Sequence, residues 1–130
     1  MPKQSPVPDE VDKPFWDAAN EERLVVQNCR ACNRLQHPPQ PTCSQCSSAD
    51  NLEWQEMSGR GRIYSYGVMH DCPVTMLVPD QPFNIAVIEL QDDPDIKMFS
   101  HLPGTPADKV PMGASVQVEF ETTPATGQKV

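Results

Sequence analysis

The clearest hydrophobic periodicity lies near the C-terminal end. From Ser115 to Glu121 apolar and polar positions alternate, with Val116, Val118 and Phe120 on one side and Gln117, Glu119 and Glu121 on the other. That pattern predicts a half-buried strand. Phe83 to Leu90 reads differently. Phe83, Ile85 and Val87 share one face and Asn84, Ala86, Ile88 and Leu90 the other, so both faces are expected to be largely buried. Leu52 to Met57, Gly61 to His70 and the weaker Ile96 to Leu102 are further strand candidates. Leu24, Val25 and Val26 make a short strand leading into Cys29. Nearer the N-terminus the period changes to that of a helix. Phe15, Ala18 and Ala19 fall on one stripe with Trp16 beside it, Asp12 stands at the N-cap, and Pro14 occupies the permissive first turn.

Residues 1–8, with Pro2, Pro6 and Pro8, read as a loose leader, and residues 29–46, 71–82 and 103–113 as loops. The polar stretch after Thr122 is expected to fray. The layout predicted is mainly β. Residues 1–23 form a tail and helical arm, 24–50 a Cys-rich knuckle module, 51–123 a small antiparallel barrel, and 124–130 a flexible tail. A chain of 130 residues accommodates one domain or two very small modules. Its 15 prolines against 6 glycines disfavour a helix bundle and favour short strands joined by stiff loops.

Charge narrows the function classes. Ten basic and 18 acidic residues give a net charge of −8, which argues against gripping nucleic acid through its phosphates, although a local basic patch remains compatible. MPKQSPVPDE contains no apolar h-region, and apolar runs such as Ile85-Ala86-Val87-Ile88 are too short to span a bilayer. A cytosolic setting is therefore expected, and there a reducing milieu disfavours structural disulfides.

The five cysteines take their meaning from that setting. Cys29-Arg30-Ala31-Cys32 and Cys43-Ser44-Gln45-Cys46 are two CxxC pairs with ten residues between them. Each CxxC can fold into a knuckle aiming two sulfurs at one point, and two knuckles complete a tetrahedral thiolate site. A four-Cys Zn²⁺ site is the leading interpretation. A dithiol redox pair or a one-iron centre shares the spacing. Four thiolates fill the coordination sphere, so such a zinc is structural, one per chain, and Arg30 and Arg34 stand close enough in sequence to offset its net −2 charge. His37, between the knuckles, would have to displace a cysteine to ligate.

Other polar groups are weaker candidates. His70, Asp71 and Cys72 could form a Cys–His nucleophile pair, but nothing completes a triad, and a loop or core cysteine is the simpler reading. His101 follows a strand and is expected to be surface or structural. No GxGxxG, P-loop or GxSxG occurs. Arg60 and Arg62 flank Gly61, close to Tyr64 and Tyr66. They could face a nucleotide or nucleic acid, glycine admitting close approach, or they could mark a barrel-entry turn with solvated arginines and packed tyrosines. Phe15 and Trp16 either dock the arm on its own domain or pack on a partner chain.

The order of these parts resembles a known family. A Phe15-Trp16 helix runs into CxxC-x10-CxxC, a Trp54 strand, Ser58-Gly59-Arg60-Gly61-Arg62-Ile63-Tyr64-Ser65-Tyr66, then Pro82-Phe83-Asn84-Ile85-Ala86-Val87-Ile88-Glu89-Leu90, and Met112-Gly113 before Val116. Over roughly residues 10–123 this is similar to the acyl-CoA-associated zinc-ribbon/OB-fold family, long catalogued as a domain of unknown function. Within it the chain resembles the terminal domain of bacterial steroid side-chain hydratases. Such domains commonly continue into a Leu-Pro-x-Phe-like segment, whereas this sequence stops at Gln128-Lys129-Val130, as an excised domain would.

The resemblance implies a rubredoxin-like zinc ribbon followed by an antiparallel OB-fold barrel. It also implies a non-catalytic auxiliary subunit. Family members accompany thiolase-fold enzymes, here a lipid-transfer-protein-type aldolase that cleaves a hydroxylated steroid acyl-CoA to propionyl-CoA and a ketone, with a hydratase as a possible further partner. The ribbon and the Phe15–Trp16 arm would bind the partner. The barrel, with Arg60, Arg62, Tyr64 and Tyr66, would lie near acyl-CoA shared at the interface. A single-stranded nucleic-acid-binding ribbon/OB module and an independent CoA or acyl-carrier binder are the competing expectations.

Overall fold

The computed structural model describes residues 4–130, so Pro2 of the leader lies outside the described residues. The chain divides into two compact units. One runs from Arg60 to Gln117, and the other joins residues 4–59 to Val118–Val130.

In the second of these, helix α1 spans Lys13–Asn20. Ala18 and Ala19 are its buried residues, while Phe15 and Trp16 are half-buried and meet edge-on with ring centroids 4.9 Å apart. Asp12 does stand at the N-cap, but its side chain makes no capping bond to the helix. It accepts from the Asp9 backbone N–H at 2.7 Å, while Asp9 in turn accepts from the N–H groups of Val11 and Asp12. These bonds order the turn before the helix.

The ribbon sheet has three antiparallel strands in the order β2 (Arg34–Gln36), β1 (Val25–Cys29), β3 (Leu52–Glu56). β1 is central, and all five of its residues are buried. Two boundaries differ from the sequence reading. A strand, β2, interrupts the stretch read as loop, because the first Cys knuckle is also the turn of a hairpin pairing Cys29 with Arg34. Leu52–Glu56, assigned to the barrel, pairs along β1 in the ribbon sheet instead, with Val25 opposite Glu56 and Cys29 opposite Leu52.

The C-terminal stretch also departs from expectation. Residues 124–130 fold back on Glu121–Thr123, with Glu121 and Val130 exchanging both backbone hydrogen bonds. The Gln128 amide donates to the Trp16 carbonyl at 3.0 Å, and the Lys129 N–H donates to Asn20 Oδ1 at 2.9 Å. Ser5 Oγ donates to the buried Thr123 Oγ1 at 2.7 Å, which holds the leader as well. A polar segment read as a fraying tail is thus hydrogen-bonded to the arm, a contact that hydrophobic patterning does not signal.

The Arg60–Gln117 unit is a four-stranded antiparallel sheet in the order β6 (Lys97–Ser100), β5 (Phe83–Leu90), β4 (Arg60–Met69), β7 (Ser115–Gln117). A bulge at Ile63–Ser65 leaves Tyr64 without an opposite residue on β5 and curls the sheet. The concave side holds Ile63, Ala86, Ile88 and Val110, with Tyr66, Leu102, Ala114 and Val116 packed against them. Asn84 is buried among these residues because both ends of its amide are used. It donates to the Thr105 carbonyl at 3.2 Å and accepts from Leu102 N–H at 3.1 Å, pinning the 102–105 loop.

The other face of β5 is less covered than the sequence suggested, since Ile85 and Val87 are only half-buried. The strand read as Ser115–Glu121 ends at Gln117, after which Val118 donates to the Gly59 carbonyl and the chain joins the ribbon unit. No helix among the described residues is long and apolar enough to cross a membrane.

Candidate functional site

The four ribbon cysteines converge. Cys29 ends β1, Cys32 lies in the turn before β2, and Cys43 and Cys46 bracket the second knuckle. Their Sγ atoms all lie within 4.8 Å of one another, with Cys29–Cys46 at 3.8 Å and Cys43–Cys32 at 3.9 Å. A tetrahedron with Zn–S bonds of about 2.3 Å has S···S edges of about 3.8 Å, so the donor set fits zinc in both kind and spacing. Cys29 and Cys43 are buried, Cys32 is half-buried and Cys46 is exposed. The turns are built by residues that tolerate positive φ, with Asn33 at 52° after the first knuckle and Ser47 at 62° after the second.

The knuckle backbone favours thiolate. Backbone N–H groups of Cys46 and Gln45 draw the Cys43 thiol down to about 6. Cys32 is pushed up to about 12, first by its hydrogen bond with Cys46 and then by burial. A divalent cation among the sulfurs reverses that second effect by stabilising every thiolate.

Two buried glutamines hold the second knuckle in place, and the sequence reading passed over both. Gln36 Nε2 donates to Gln27 Oε1 at 2.7 Å and to the Thr42 carbonyl at 3.1 Å, while Gln36 Oε1 accepts from Ser44 N–H at 2.9 Å. Gln27 Nε2 donates to the Gln40 carbonyl, and its Oε1 accepts from Gln40 N–H, both at 2.9 Å. The backbone on either side of Cys43 is therefore fastened to the ribbon sheet by side-chain amides. The available signal was a glutamine directly after the apolar Leu24-Val25-Val26 run.

The arginines named with the cluster separate. Arg34 reaches the second knuckle through Gln45 Oε1 at 2.7 Å, whereas Arg30 turns to Glu53 at 3.9 Å and to the Asp50 carbonyl. His37 packs near Phe15, with ring centroids 5.8 Å apart, and burial lowers its pKa.

In the other unit the four predicted binding residues do not stay together. Arg60, Arg62 and Tyr64 are exposed along β4. The bulge then shifts the phase, so Tyr66 turns to the core side, which corrects its placement beside the other three. Gly61 does not admit a ligand. Its missing Cβ would lie 2.6 Å from the Glu89 carbonyl oxygen, so the close approach is to β5. Cys72 is buried and His70 exposed, and the Cys72 N–H donates to Gln81 Oε1, which leaves Cys72 as a core cysteine.

Comparison with known proteins also finds two parts, with the boundary earlier in the chain, between residues 53 and 54. Residues 16–53 match the family model described as the rubredoxin-like zinc ribbon domain of ChsH2, and residues 54–121 match that of its C-terminal OB-fold domain. The chain belongs to the ChsH2 family. It is a zinc-ribbon/OB-fold protein with one structural zinc, as its donor set requires.

Over 110 residues it is 37% identical to a protein of Thermomonospora curvata described as a probable enoyl-CoA hydratase alpha subunit. The match covers 84% of this chain and 33% of the relative, so the chain spans about one third of that protein's length. A protein of Methanothermobacter thermautotrophicus, called a DUF35 domain-containing scaffold protein, is 26% identical over 81% of this chain and 77% of its own. Among solved structures, a chain of the Ltp2-ChsH2(DUF35) aldolase superposes with a TM-score of 0.81 at 29% identity, covering 97% of this chain and 94% of its own. A Sulfolobus solfataricus DUF35 protein of unknown function shares the fold at a TM-score of 0.52, with 15% identity over 74% of this chain and 71% of its own.

Proposed function

We propose that this chain is a non-catalytic auxiliary subunit of an acyl-CoA-processing complex, where it stabilises and activates a thiolase-fold partner. One observation carries the reading. Nearly the whole chain, ribbon and barrel together, superposes on a chain from a solved Ltp2-ChsH2 aldolase. Relatives called scaffold proteins and a hydratase alpha subunit support it. The partner proposed is an aldolase performing retro-aldol cleavage of a hydroxylated steroid acyl-CoA to propionyl-CoA and a ketone, with the nucleophile and base on that partner.

Cys29, Cys32, Cys43 and Cys46 are the proposed ligands of the structural Zn²⁺. The metal would supply folding energy to the ribbon, and no reaction step passes through it. Phe15 and Trp16, half-buried and edge-on, are the proposed arm contacts. Arg60, Arg62 and Tyr64 are the proposed residues facing acyl-CoA or the partner, Tyr66 being engaged in the core.

Co-purification with a tagged chain, with and without nuclease, tests the assignment. A stoichiometric thiolase-fold protein that nuclease does not remove is expected. Recovery of nucleic-acid-binding proteins that disappear with nuclease would replace this reading with a single-stranded nucleic-acid module.

A further inference from the structure

The four ribbon cysteines differ in how they are held. Cys29 ends a strand whose five residues are all buried and which is paired on both sides. Cys43 is 2% exposed, and Gln36 fastens the backbone immediately before and after it. Cys32, in the turn between β1 and β2, is half-buried. Cys46 is exposed, and so are Ser44, Gln45 and Ser47 around it. The chain leaves Cys46 through Ser47 at a φ of 62°. Arg34 Nη1 donates to Gln45 Oε1 at 2.7 Å, which brings a guanidinium to the residue beside Cys46.

Oxidation of a cysteine follows thiolate character and access. Holding a divalent ion requires all four sulfurs as thiolates, so access decides among them. The buried strand shields Cys29, and the clamped side of the second knuckle shields Cys43. A water-borne oxidant meets Cys46 first. The Cys29 Sγ lies 3.8 Å from the Cys46 Sγ, so a second thiolate stands beside the one that reacts.

We infer that Cys46 is the site at which peroxide oxidises this ribbon, in a reversible reaction that releases the metal. The Cys46 thiolate attacks one oxygen of hydrogen peroxide. An S–O bond forms, the O–O bond breaks, and the departing hydroxide takes a proton to become water. The sulfur is thereby oxidised to a sulfenic acid and the peroxide is reduced. The Cys29 thiolate then attacks the Cys46 sulfur. An S–S bond forms, the S–O bond breaks, and hydroxide again leaves and takes a proton. Two of the four donors are then lost to the metal, and the folding energy that it supplies to the ribbon goes with them. A dithiol reductant returns both electrons and both protons to the bridge, becomes a disulfide itself, and restores the two thiols. The reaction concerns the ribbon alone and is the same whichever partner the chain serves.

The test uses the full zinc-loaded chain, substoichiometric hydrogen peroxide and a diketone that traps sulfenic acid. Peptide mass spectrometry reads the modification of each cysteine, and a chromophoric chelator reads zinc in solution. The diketone should appear on Cys46 before the other three ligands. With excess peroxide and no diketone, non-reducing peptide mapping should give a bridge that includes Cys46, with release of about one zinc per chain. Dithiothreitol and added zinc should restore the metal content. Cys46→His keeps four donors of kinds that zinc accepts, and should release zinc at least several-fold more slowly at the same peroxide concentration. Label spread evenly over the four cysteines, or found first on any ligand other than Cys46, overturns the inference. So does a bridge that leaves Cys46 out, zinc that stays bound while Cys46 is oxidised, a metal content that reductant does not restore, or a zinc-loaded Cys46→His chain that releases metal at the wild-type rate. If Cys46→His takes up no zinc, the labelling order in wild type decides by itself.

Discussion

Replacing Gln36 with methionine tests whether the buried amide pair places the second zinc knuckle. Methionine has nearly the same length and can fill the same space, so packing changes little. What disappears is a set of three hydrogen bonds, to Gln27 Oε1, the Thr42 carbonyl and the Ser44 N–H. The last two are the backbone groups on either side of Cys43. A fully buried group left unpaired costs about 1–3 kcal/mol. Thr42 and Ser44 are themselves exposed, so water can replace part of the loss, and the net cost should be about 2 kcal/mol. Expressed in metal binding, that is a 10–100-fold fall in zinc affinity, the range found for other groups that orient metal ligands. Competition for zinc with a chromophoric chelator at neutral pH reads the change. Gln55→Met, the same substitution at an exposed position on β3, is the control and should leave affinity unchanged. Equal zinc affinity in wild type, Gln36→Met and Gln55→Met would refute the claim that the glutamines position Cys43.

Four further outcomes follow from the same structure. Cys43→Ser should lower metal content from about one zinc per chain, measured on freshly purified protein without chelator, and should melt the ribbon's cooperative unfolding step. Gly61→Ala should destabilise the sheet by about 1–3 kcal/mol, because the new Cβ meets the Glu89 carbonyl oxygen at 2.6 Å and Ile88 Cγ2 at 2.8 Å; Gly67→Ala, on the same strand in open space, should be neutral or stabilising in urea unfolding. Burial depresses the His37 pKa below its unfolded value of 6.5, so its contribution is present above pH 6.5 and lost as pH falls through the folded value; relative to His37→Gln, wild type should therefore lose stability on acidification below about pH 6.5. Deleting residues 124–130 should speed amide exchange in Lys13–Asn20, since the bonds from Gln128 and Lys129 to Trp16 and Asn20 are removed.

The zinc site was legible because its chemistry is local. Two CxxC pairs fold into knuckles whatever surrounds them, and the sulfurs meet at the expected spacing. The order of helix, ribbon and strands was legible for the same reason. Side-chain chemistry that acts at a distance was not. Gln27 and Gln36 are polar residues in buried positions, and only tertiary contacts explain them. Tyr66 was misplaced because a bulge at Tyr64 changes the phase of β4, and no alternation rule records an extra residue. Leu52–Glu56 carries strand character, but its pairing with β1 depends on the hairpin made by the first knuckle, so the sequence did not reveal which strand it lies beside. The polar terminus was read as loose because its order comes from hydrogen bonds to the arm rather than from apolar burial.

The central claim is that this chain supports catalysis on another polypeptide. The most direct measurement is retro-aldol cleavage of a hydroxylated steroid acyl-CoA by the purified thiolase-fold aldolase, with and without the zinc-loaded chain. The account requires no turnover by the chain alone, and a marked gain in both activity and melting temperature of the aldolase when it is added. An aldolase equally active and equally stable without it, or turnover by the isolated chain, would contradict the account.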